Sequence, residues 1–156
     1  MGRIPKRLLF TMIANNDFLG TINTNPYKFQ HFGLRTFVIY VNGRQIPTES
    51  LAIDPGHEKR TVMAYKTLFE GSGIHHSNSG IQITHDMYIS GYFMLLFDLT
   101  PDLAASEGHT LPVEGGNIRI ELTFKEVLKE AVTCLLYTKY DNSVLVDSLR
   151  TVTMDF

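Results

Sequence analysis

The side chains able to do chemistry in this sequence are six histidines, one cysteine and a scatter of carboxylates. The adjacent pair His75-His76 comes nearest to a metal site. Neighbouring side chains on an extended chain point to opposite sides, so two such histidines rarely ligate one ion. A metal-binding barrel of the cupin type needs a strand-borne His-x-His with a glutamate and a distant histidine, and no His-x-His occurs. His57, His85 and His109 fall in expected loops without ligand spacing. Cys134 sits among Val132, Leu135 and Leu136, where a strand cysteine acts as a small buried apolar residue rather than a nucleophile. Gly-x-Ser-x-Gly is absent, and Gly71-Ser72-Gly73 reads as a helix terminator. Asp98 and Asp102 flank a Thr100-Pro101 turn, and Glu121 alternates with Arg119 and is placed to pair with a cross-strand neighbour. A glycosidase needs two carboxylates facing across a cleft, which no spacing here marks. Gly115-Gly116 precedes a strand, whereas a phosphate loop opens a helix. The expectation is a non-enzyme with no catalytic residue, cofactor or metal.

The elements that would position these residues are mostly strands. Residues 7–13 form a first strand, closed by the turn residues Asn15-Asn16-Asp17. Asn25-Pro26 makes a second break. Residues 34–41 are rich in β-branched and aromatic types, which fit a pleated, half-buried surface. Asn42-Gly43 follows at once, and both residues tolerate the positive φ of a type I′ hairpin. Pro47 cannot donate to a ladder, so the returning strand is short or at an edge.

Over 58–70, Val62, Tyr65, Leu68 and Phe69 recur at helical spacing, and Gly71 and Gly73 supply the stop. Thr84 caps a single helical turn. Residues 92–97 form an apolar strand covered on both faces. A long connection over 98–116 contains the Thr100-Pro101-Asp102 turn, and connections of that length carry interfaces or function. Residues 117–124 alternate strictly, with Ile118, Ile120, Leu122 and Phe124 on one face. Residues 132–140 form the next strand, with Val132, Cys134, Leu136 and Thr138 on one face. Asp141-Asn142 turns the chain into a strand over 143–149, and 151–154 adds an edge. About eight strands and one inserted helix predict an all-β, jelly-roll sandwich. An immunoglobulin-type marker is missing, since there is no tryptophan and one cysteine.

Composition narrows the partners. The chain has 156 residues, a net charge of −2 and 19% charged residues, below the usual quarter. The short basic cluster Arg3, Lys6, Arg7 cannot supply the counterion release that a nucleic-acid binder needs. One cysteine excludes an intrachain disulfide and fits synthesis in a reducing compartment. No apolar run is long enough to span a bilayer. Tyr27, Phe29, Phe32, Tyr88 and Tyr92 sit at strand edges or in loops, where aromatics pack the sandwich ends or anchor a partner.

Five strings in series resemble the major capsid protein of Polinton/Maverick elements and adintoviruses. The first contains Asn25-Pro26-Tyr27-Lys28-Phe29-Gln30-His31-Phe32. The second contains Tyr40, Asn42, Gly43 and Pro47. The third joins Gly91-Tyr92 to Phe97-Asp98-Leu99-Thr100-Pro101-Asp102. The fourth runs from Gly116-Asn117-Ile118-Arg119 to Leu122, and the last from Tyr137 to Asp141-Asn142. Together they span most of the chain. The resemblance implies a double jelly-roll capsid protein, of which residues 1–156 supply one roll, the C-terminal half. It further implies a virion location, homotrimeric capsomers with like subunits as partners, and no catalytic residues. A ligand- or receptor-binding sandwich is the alternative, motivated by His75-His76 and Tyr88. A cupin-type enzyme is the third reading.

Overall fold

The computed structural model describes residues 2–54, 58–75, 77–108 and 112–155. In chain order its elements are β1 (Gly2–Arg3), β2 (Arg7–Ala14), α1 (Asn15–Leu19), β3 (Leu34–Val41), β4 (Arg44–Ala52), α2 (Glu58–Ser72), α3 (His85–Gly91), β5 (Met94–Asp98), β6 (Gly115–Gly116), β7 (Ile118–Phe124), β8 (Val132–Lys139), β9 (Ser143–Val146) and β10 (Val152–Asp155). The protein is an all-β sandwich. Two three-stranded antiparallel sheets, ordered β5-β2-β8 and β4-β3-β7, share one core. Aromatics join the layers: Phe10 of β2 lies 4.9 Å from Phe37 of β3 between ring centroids, and Phe37 stacks on Phe97 of β5 at 5.4 Å.

The jelly-roll path follows from which strands pair. β2 pairs with β8 along its whole length, and β3 pairs with β7. Each partnership continues into the corner, where Asn15 N donates to Ala131 O and Lys125 N donates to Gly33 O, both at 2.9 Å. β2–β3 and β7–β8 therefore form one antiparallel ribbon that rolls from the first sheet into the second. β5 flanks the ribbon beside β2, and β4 flanks it beside β3.

The Asn42-Gly43 hairpin forms as expected, with φ of 52° and 81°. β4 is longer than expected and carries Pro47 on an outer strand, where a missing N–H costs no ladder bond. Several local expectations change. Asn15-Asn16-Asp17 opens the short helix α1 instead of a turn. Thr84 does cap a helix, accepting from Met87 N, but that helix runs on to Gly91. Two small pairs, β1·β6 and β9·β10, lie outside the main sheets. The described strands thus outnumber the expected eight, and α2 is joined by two shorter helices.

In α2 the buried side chains are Thr61, Ala64, Thr67 and Leu68, while Val62 is 47% exposed. The expected stripe was one residue out of phase at Val62 because the helix packs β5 through small residues. Gly71 lies inside α2 rather than after it: a Cβ there would stand 2.5 Å from Leu96 O. The stop falls at Gly73, whose φ is 79°.

Candidate functional site

The five strings meet in space, in pairs that are remote in sequence. The first docks on the third. Phe29 N donates to Gly91 O at 2.9 Å, and Phe93 N donates to Phe29 O at 3.2 Å. Phe29 and Tyr92 form an isolated bridge, and His31 stands edge-on to Phe93. Asn25 shapes the approach, its Oδ1 accepting from Tyr27 N across Pro26. His31 Nδ1 accepts from Gly33 N at 3.0 Å, which supports the left-handed Phe32 at φ 47°. Burial lowers the His31 pKa from its ordinary 6.5.

The second string locks onto the fourth. Asn42 Oδ1 accepts from Asn117 N, and Asn42 N donates to Asn117 O, both at 3.0 Å. Gly116 leaves room for that amide, since a Cβ there would lie 2.0 Å from Asn42 Oδ1. Tyr40 carries the Arg119 guanidinium 4.5 Å above its ring, and Arg119 also pairs with Glu121 at 3.0 Å. The third string meets the fifth at a shallow pocket lined by Lys6, Pro101, Tyr140 and Asp141, where Lys6 and Asp141 form an ion pair. Asp98 organises its loop, accepting from Thr100 N and Ala105 N. Pro47 lies in β4 at a cis peptide bond, and Asn142 accepts from Ser143 N. These residues tie segments remote in sequence together.

The chemistry-bearing residues stay dispersed. Among the described residues, no group of three or more His, Cys, Asp or Glu side chains could hold a metal ion. His85 contacts Thr61 Oγ1 at 3.1 Å and the Tyr65 ring, on the inner side of α2. His57, His76 and His109 lie outside the described residues. Tyr88 is fully buried, and its hydroxyl donates to Met94 O at 2.9 Å. Burial pushes that phenol far above its ordinary pKa. It therefore serves the core and leaves the loop surface without the aromatic that the ligand-binding alternative invoked. Tyr27 is exposed.

What the sequence did not mark is an open seam. Burial falls away across a single strand step. Phe10 and Met12 of β2 are 1% and 0% exposed, yet Leu136, the partner of Phe10 on β8, is 53% exposed. Cys134, the partner of Met12, is exposed as well, contrary to the buried strand cysteine expected. Its sulfur keeps enough apolar cover to raise the thiol pKa. On the second sheet, Phe37 and Ile39 are fully buried, while their β7 partners Leu122 and Ile120 are only half-buried. β7 and β8 pair on one side only among the described residues, so the rolled ribbon has a free edge running over both sheets.

Comparison with known proteins gives one weak likeness. The chain is 28% identical over 157 residues to an uncharacterized protein of Caenorhabditis elegans, a match covering 99% of this chain and 37% of that protein. The chain thus spans little more than a third of the length of the curated relative it matches. No family model and no solved structure matches it.

Beyond the seam lies the β9–β10 hairpin. Every residue over 141–154 is exposed. Val144, Val146, Val152 and Met154 share one face by register, and Leu145 and Thr153 share the other. An apolar strand sequence with no charged alternate, Ser-Val-Leu-Val, was the available signal. The seam and the hairpin are the main exposed apolar surfaces among the described residues. No helix of the described residues is long and apolar enough to cross a membrane.

Proposed function

We propose that the chain is a structural shell subunit of the double jelly-roll capsid type, contributing the C-terminal roll of a longer protein. The observation that carries this reading is the rolled ribbon with its open seam: a jelly-roll sandwich whose core is left uncovered along one continuous edge. A subunit that acts alone guards such an edge along its whole length, whereas here charge guards the β7 part and β8 is left bare. A subunit of an assembly leaves it for a neighbour. The five ordered strings support the same reading, because the resemblance they carry is to capsid proteins of that type and the sandwich brings them into contact in pairs. Like subunits are the proposed partners, with a homotrimeric capsomer as the unit and the virion as its location.

The test is expression of the longer reading frame that contains this chain, followed by negative-stain electron microscopy. Trimeric capsomers or shell fragments are expected. Uniformly monomeric particles at high concentration would overturn the reading.

A further inference from the structure

We propose that the β9–β10 hairpin is an exchange arm, which adds as a strand to the free β8 edge of a second copy of the chain. The argument rests on how each edge of the fold is guarded. Natural sheets blunt their edges with charge, proline, short length or a covering helix. β4 carries Arg44, Pro47 and Glu49; β7 carries Arg119 and Glu121. β5 is packed by α2, and β1 and β6 are two residues each. β8 is different: its eight residues hold one charge, Lys139 at the end. β9 holds none. The unguarded edges of the described fold are therefore β8 and the hairpin, and every copy carries both.

Their chemistry matches. A strand laid beside β8 places alternate side chains over the seam, where Leu136 and Cys134 lie open. Val144 and Val146 are alternate residues, 57% and 63% exposed, and Val152 and Met154 back them across the hairpin. A two-stranded hairpin is marginal alone in water, so this one requires a third strand. The arm's apolar side chains and Leu136 together expose somewhat under about 1,000 Å² per copy, so the reciprocal exchange of two arms exceeds the roughly 1,000 Å² that a specific interface must clear. Three residues, 140–142, link β8 to β9, and Asp141 among them is anchored to Lys6. Among the described residues β9 and β10 pair with each other and with no strand of their own body, which leaves the arm available for exchange between copies.

Cys134 is the chain's one cysteine and so a native reporter on the acceptor edge. The experiment mixes the wild-type chain with a Cys134→Ser/Val146→Cys chain, and in parallel with Cys134→Ser/Val144→Cys, under mild oxidation in alkaline buffer. A reducible mixed dimer is expected in at least one mixture, at least tenfold above either chain oxidised alone. Val144→Asp/Val146→Asp, at exposed positions that leave the sandwich intact, is expected to weaken association by tenfold or more in sedimentation velocity. Absence of the mixed disulfide in both mixtures would overturn the proposal. So would a Val146→Cys single variant that closes only an intrachain bond to Cys134, since the arm would then fold back on its own β8. The exchange deepens the shell reading by naming one of its contacts, and the two can fail separately. Mixed disulfides without capsomers from the longer protein retain the arm and remove the shell; capsomers without mixed disulfides do the reverse.

Discussion

At the scale of single residues, the informative side chains hold the backbone in place. Asn42 both adopts a left-handed φ and receives the Asn117 N–H. Asn42→Ala loses the hydrogen bond and adds backbone strain, an expected cost of about 1–3 kcal/mol in urea unfolding. Asn42→Gly keeps the conformation and loses only the bond, so its cost should be smaller. Tyr88→Phe should cost about 1–2 kcal/mol, because Met94 O is left without the buried phenol donor. His31 gives the fold a pH dependence. Its pKa is lowered by burial, so the unfolded chain binds the proton at about 6.5 and the folded chain only at lower pH. Stability from this group is complete above 6.5 and falls as the pH drops through the folded value. Protonation would also turn Nδ1 from an acceptor into a donor against Gly33 N. Thermal unfolding across this range should show the loss in the wild type and a flatter profile in His31→Gln.

At the scale of elements, α2 separates what periodicity reveals from what packing selects. Apolar spacing located the helix and nearly its length, but it placed Val62 in the buried stripe. The contact surface instead runs through Thr61, Ala64 and Leu68, and then Gly71. Small residues let the helix axis approach β5 closely, and a sequence pattern scored on hydrophobicity does not register them. Val62→Glu should therefore change stability by no more than about 0.5 kcal/mol. Ala64→Leu overpacks a closed contact and should cost about 1–3 kcal/mol. Gly71→Ala would ordinarily help a helix interior. Here its methyl meets the Leu96 backbone, so denaturant melts should show a net loss. The strands tell the converse story. β3, β7 and β8 were legible almost to the residue because β-branched runs and strict alternation mark a pleated surface with one dry face.

At the scale of the whole molecule, the decisive property is how the apolar surface is distributed. The core under β2 and β3 is closed, while the seam along β7–β8 and the β9–β10 arm are not. If association runs through these apolar edges, it should strengthen in sulfate and change little with moderate sodium chloride. Sedimentation velocity across a salt series checks this, because excluded salts favour apolar burial whereas screening weakens ionic contacts. An association constant that falls steeply with ionic strength would instead point to a charged interface.

The sequence by itself determined the strand types, the Asn42-Gly43 turn and the position of the long helix. Those features follow from local rules: side-chain period and turn conformation act over a few residues. The five ordered strings were visible too, but as separate stretches. Only the tertiary structure joined them, since Phe29 meets Gly91 and Asn42 meets Asn117 through folding rather than proximity in the chain. It also decided that Cys134 and Leu136 lie open while their neighbours Met12 and Phe10 are sealed. Alternation names the inward face of a strand. Whether that face is covered depends on how many strands stand beside it and opposite it, a property of the assembled sheets.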